Sequence, residues 1–113
     1  MSKPSDFVQG TLDLVLLKIL AVEPLHGWAI SQRLPAASGN VLQVSEGSLY
    51  PALHKLEVAA WIRAEWKVTE NNRRAKFYSL TASGRRALDR QSADWDRLSK
   101  AVSQILRLKE AKA

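Results

Sequence analysis

The chain contains no cysteine. Disulfides, thiol nucleophiles and cysteine-ligated zinc are therefore excluded. Histidine is nearly as scarce: His26 and His54 are the only two, and no set of residues has metal-ligand spacing. Glycine and proline number five and four in 113 residues. None of them builds a phosphate-binding loop or a nucleophile elbow, and there is no internal repeat or low-complexity segment. Asp94 and Asp96 sit one residue apart and so point to different faces of a helix, which removes the nearest thing to a carboxylate pair. No enzyme activity, metal or cofactor is expected. No apolar run is long enough to span a bilayer, and the N-terminus lacks a charged-then-apolar signal pattern. The expectation is a cytoplasmic protein with no membrane partner.

What is present is an ordinary apolar fraction, 46%, in a chain of one domain or one domain plus an extension. The net charge of +6 is unevenly placed. Residues 1–60 hold four Lys/Arg against five Asp/Glu, whereas residues 61–113 hold thirteen against six. A basic second half points to an acidic partner, of which nucleic acid is the commonest.

Met1 to Gln9 has no clear periodicity; Phe7 and Val8 are the residues there able to pack on a neighbour. Thr11 to Val22 has the spacing of a helix, with Leu12, Val15, Leu16, Ile19 and Leu20 as its inner stripe and Leu14 and Leu17 broadening it. Glu23 to Gly27 has the composition of a turn, with His26 as a structural turn residue. Trp28 to Leu34 fits a short second helix with Trp28, Ile30 and Leu34 inward. Pro35 to Asn40 is a cluster of helix breakers, and Val41 to Val44 reads as a short extended piece.

Val44 to Glu57 organises the rest. Leu49, Ala52, Leu53 and Leu56 form an apolar face at helical spacing, with Ser45 or Ser48 as the N-cap. Pro51 is tolerated near a helix start, where its missing N–H is not needed. Ser48, Tyr50, Pro51, His54 and Lys55 spread over the other faces. Compact hydrogen-bonding groups on an outer N-terminal face suit insertion into a DNA major groove. Trp61 to Thr69 alternates, with Ile62, Ala64, Trp66 and Val68 on one side. Lys76 to Leu80 follows as a second strand, across an Asn-rich loop holding Asn72, Arg73 and Arg74. A basic hairpin behind a helix-turn-helix is a wing. Ser45, Ser48, Tyr50, Pro51, His54 and Lys55 on the helix, and Asn72, Arg73, Arg74 and Lys76 on the wing, are the candidate DNA contacts. Trp28, Trp61 and Trp66 fall in core-like patterns.

From Thr81 the period is helical again, with Thr81 or Ser83 as cap. Leu88, Trp95, Leu98, Val102 and Ile105 recur at intervals of seven, three, four and three, the seam of a coiled coil. A helix of about 25 residues spans about 40 Å at 1.5 Å per residue. Its far end exceeds any small core, and a second copy of the chain is the economical cover. Trp95 on that seam is either interface filler or, paired with its symmetry mate, a site for a planar aromatic effector.

With these elements in place, the sequence resembles the PadR family of bacterial winged-helix repressors. The resemblance rests on Gln9-Gly-Thr-Leu-Asp-Leu14, Pro24-Leu-His-Gly27, Glu46-Gly-Ser-Leu-Tyr-Pro-Ala-Leu-His-Lys-Leu-Glu57, Asn71-Asn-Arg-Arg-Ala-Lys-Phe-Tyr-Ser-Leu-Thr81 and Gly84-Arg-Arg86. It implies a mainly α protein with a small β-hairpin: a winged helix-turn-helix DNA-binding domain over residues 1–80, and a C-terminal dimerisation helix over 81–113. It implies a homodimer on a palindromic operator, usually repressing an adjacent gene, and often a response to small aromatic compounds. Two departures stand out. Trp28-Ala29 replaces an aromatic followed by glycine, and Ala59-Ala60 stands where the family usually has glycine after the recognition helix. A winged helix devoted to protein contact, and a multidrug-type sensor dominated by its pocket, are the alternative readings.

Overall fold

The computed structural model of the protein describes residues 9–111; Phe7 and Val8 lie outside them. The elements run α1 (Gln9–Val22), β1 (Leu25–His26), α2 (Gly27–Ala37), α3 (Glu46–Val58), β2 (Ile62–Val68), β3 (Arg74–Leu80) and α4 (Ala82–Leu106). The three strands form one antiparallel sheet in the order β1-β3-β2. Ile62 faces Leu80 at the base of the hairpin, Val68 faces Arg74 near its tip, and β1 sets Leu25 against Tyr78.

The core lies where α1, α2, α3 and the start of α4 meet the base of the sheet. Leu16, Leu17, Ile30, Leu49, Leu53, Leu56 and Ile62 are its fully buried side chains. Ala87 and Leu88 belong to the same core, so the first turns of α4 complete it. The rest of α4 leaves the body and stretches the molecule to 65 × 31 × 20 Å.

Several local expectations are corrected. The segment Glu23 to Gly27 is not only a turn, because it contains the strand β1. His26 then caps α2: its Nδ1 accepts the Ala29 N–H at 3.2 Å. Helix α2 continues past Pro35 to Ala37. The break falls at Gly39 and Asn40, both left-handed at φ +61 and +67. Proline removes one N–H without forbidding helical φ, whereas two consecutive left-handed residues end the helix. Residues 41–45 are irregular rather than extended in a strand. Trp28 and Trp66 are not core residues: they are 66% and 59% exposed. The alternation of β2 is genuine, but only Ile62 and, in part, Ala64 reach the helices; beyond them the hairpin extends past the core. Only Trp61 of the three is half-buried against the core.

Two close approaches fix the joints. Thr81 caps α4 by accepting the Gly84 N–H at 3.0 Å, and its hydroxyl donates to the Ala60 carbonyl at 2.7 Å. Gly84 lies so near the Trp61 carbonyl that a Cβ there would collide with backbone. Ala60, two residues past the end of α3, has φ +64, a left-handed angle that disfavours any residue with a Cβ.

Candidate nucleic-acid interface

Helix α3 presents its outer face because its inner face is committed. Leu49, Ala52, Leu53 and Leu56 are buried, leaving Pro51, His54 and Val58 exposed and Tyr50 44% exposed. Ser45 is the N-cap: its Oγ accepts the Ser48 N–H at 3.2 Å and lies 3.3 Å from the Ser48 hydroxyl. Pro51 is the sixth residue of the helix, a turn deeper than a helix start. Lacking an N–H, it leaves the carbonyl of exposed Gly47, four residues earlier, without its intrahelical donor.

The two flanks of α3 are tied by ion pairs of opposite sense. On the α1 side, Lys55 Nζ lies 2.7 Å from Asp13 Oδ2. Asp13 is 6% exposed, and its other oxygen has no hydrogen-bond partner among the described residues. On the wing side, Glu57 Oε1 meets Lys76 Nζ at 3.4 Å. Two of the cations assigned to DNA from sequence, Lys55 and Lys76, are therefore engaged within the chain. Removing one partner of a fully buried pair costs about 3–5 kcal/mol. The Lys55 side chain is 47% exposed, so its pair falls below that range but above a surface contact. Sequence reasoning missed both pairs. The available signal was Asp13 itself, an acid inside an otherwise apolar stripe.

The wing turn spans residues 69–73. Thr69 N–H donates to the Arg73 carbonyl at 2.7 Å, Arg73 N–H donates to Thr69 Oγ1 at 3.3 Å, and Asn72 takes the left-handed angle at φ +58. Arg73 and Arg74 are exposed at the tip, with the Arg74 guanidinium 5.4 Å from the Trp66 ring centre. Further down, Lys67 lies 5.8 Å from the Phe77 ring and Lys76 lies 5.6 Å from Tyr78. Burial pushes the Tyr78 phenol above its ordinary 10.0, against the opposing charge of Lys76. Between α3 and the wing runs a cleft of about 420 Å³, whose walls include Trp28, Tyr50 and Trp66. Gly27 is at its base, where a Cβ would strike the Tyr50 ring.

Helix α4 carries the second surface. Trp95, Leu98, Val102 and Ile105 are 48%, 58%, 46% and 65% exposed and share one stripe. Leu88, placed on the same seam from sequence, is 3% exposed and belongs to this chain's own core. The exposed part of the stripe thus begins at Trp95. Grooves flank that indole on both sides. One of about 390 Å³ is lined by Gly10, Thr11, Leu14, Gln91, Asp94 and Leu98. The other, of about 370 Å³, lies toward Val15, Lys18, Leu88 and Asp89. Among the described residues no group of three His, Cys, Asp or Glu could hold a metal, and no helix is long and apolar enough to cross a membrane.

Four helices with a small antiparallel sheet, a helix held outward by its neighbours and a basic hairpin beside it define a winged helix-turn-helix protein. Sequence and structure comparisons then specify the family. The profile of the Transcriptional regulator PadR-like family matches residues 16–90. A transcriptional regulator of Mycobacterium tuberculosis, Rv3488, is 31% identical over 97 residues, covering 86% of this chain and 87% of its own. Among solved structures, a PadR family transcriptional regulator from Eggerthella lenta DSM 2243 superposes with a TM-score of 0.76 at 30% identity, covering 89% and 86% of the two chains. A PadR-like transcriptional regulator from Bacillus cereus gives 0.78 at 27% identity, covering 89% and 96%. The chain belongs to the PadR-like family of transcriptional regulators.

Proposed function

We propose that the protein is a homodimeric repressor that binds a palindromic DNA operator and is released by a planar aromatic ligand. The observation that carries this reading is the pairing of two outward surfaces. The free face of α3, with Pro51 and His54, stands beside a wing whose Arg73 and Arg74 are exposed. The helix reads base edges, the arginines meet phosphates or the minor groove, and Ser45, Ser48, Tyr50 and Asn72 line the same approach. The exposed stripe Trp95, Leu98, Val102 and Ile105 supports the dimer, since four large apolar side chains at heptad spacing need a cover. Two-fold symmetry then pairs two recognition helices with two half-sites.

The grooves beside Trp95 support the ligand. A flat molecule stacked there that prefers the DNA-free spacing of the two α3 helices would shift the dimer away from the operator. Selection of duplexes from random DNA at moderate salt tests the reading. Recovery of a palindrome is the expected result; no enrichment over a shuffled control would favour a winged helix used for protein contact.

A further inference from the structure

We infer that Lys55 and its buried partner Asp13 are positioning residues that fix the pose of the recognition helix, and that Lys55 is not a phosphate contact. The assignment rests on the DNA-binding reading above and goes beyond it by removing a cation from the DNA-facing set.

The geometry carries the argument. Lys55 sits on α3 but reaches sideways to α1, where its Nζ is 2.7 Å from Asp13 Oδ2. Asp13 is buried, its Oδ1 has no partner among the described residues, and the Lys55 ammonium is the one cation paired with it there. A phosphate could recruit Lys55 only by leaving a buried charge uncompensated. That penalty acts against the transfer at every step of binding. Two residues further along α3, Glu57 faces the other way and meets Lys76 of β3 at 3.4 Å. Helix α3 thus offers a cation to one neighbour and an anion to the other. Its apolar face sets its depth in the core. An ion pair on each flank adds direction to that packing, because a roll of the helix either way lengthens one of the two pairs. Pro51 and His54, which need fixed orientations to meet base edges, lie on the face between those pairs.

The two roles of Lys55 predict opposite signs for a variant that never touches DNA. If Lys55 were a phosphate contact restrained by Asp13, Asp13→Asn would free it and tighten binding. If Asp13 positions α3, the same change weakens binding. The experiment measures affinity for the duplex recovered by selection, across a salt series, for wild type, Asp13→Asn, Lys55→Met and the double variant. The double variant leaves no uncompensated buried charge, so it keeps the test open where a single variant does not fold. We expect each variant to lose about tenfold or more in affinity, equivalent to about 1.4 kcal/mol, with the double no worse than the weaker single. The salt slope should stay at the wild-type value, whereas losing a phosphate contact lowers it by about one. Tighter binding by Asp13→Asn, or a lowered slope in any variant lacking Lys55, would overturn the assignment. Absence of wild-type binding to every duplex would instead remove the DNA reading on which it rests.

Discussion

The Arg74 guanidinium lies 5.4 Å from the centre of the Trp66 indole, across the β2–β3 hairpin. An exposed indole under a cation holds the side chain over the strand, so that less freedom is lost when it meets an anion. Arg73, at the turn itself, is exposed and adjacent. Replacing both by alanine should weaken binding to all duplexes alike, and the salt slope should fall by about one per lost contact. An affinity and slope equal to those of wild type would mean that the wing does not touch DNA.

On α3, the expected effect is on preference rather than on overall affinity. Ser48→Ala keeps the cap, which uses the Ser48 backbone N–H, and His54→Ala alters only an exposed side chain. Each should change the ranking of operators by about 1–3 kcal/mol at particular base pairs. Competition between the selected duplex and single-base variants measures it. Equal losses on selected and random DNA would assign these residues to positioning.

Ala60→Gly should stabilise the fold. At φ +64, the Cβ of Ala60 is strained by about 1–2 kcal/mol. The greater freedom of glycine in the unfolded chain offsets about 0.5–1 kcal/mol of that. A net gain near 1 kcal/mol would raise the melting temperature by about 4 °C or somewhat more. Thermal unfolding followed by circular dichroism reads it, and a lowered midpoint would show that the angle relaxes without cost.

Leu98 and Val102 are exposed on the outer stripe of α4. Leu98→Glu with Val102→Lys should give a folded monomer, because neither residue belongs to this chain's core. Light scattering would report the mass. Operator affinity should drop by about 10²–10⁴, since two half-sites are no longer engaged together. A variant that stays dimeric would place the interface elsewhere.

Trp95 distinguishes a ligand site from packing. Titration of planar aromatic compounds should show micromolar binding, about −8 kcal/mol, to the wild-type protein and none to Trp95→Ala. Equal binding by both proteins, or by neither, would leave Trp95 as interface filler.

Periodicity alone determined much of this protein. The apolar face of α3, the alternation of β2 and the helical stripe of α4 are one-dimensional patterns, fixed by 3.6 and 2.0 residues per repeat. Leu49, Leu53 and Leu56 were therefore legible as buried, and the long C-terminal helix as longer than its core. Tertiary structure decided what depends on where elements end relative to one another. Trp66 follows the inward alternation of β2 but stands beyond the helices, so its face meets solvent. Leu88 and Trp95 share one seam, yet α1 covers the first and leaves the second nearly half exposed. Lys55 carries a charge that composition assigns to an acidic partner outside the chain. Only the packing of α3 against α1 brings it to Asp13, forty-two positions earlier, because an ion pair depends on distance in space and leaves no period in the sequence.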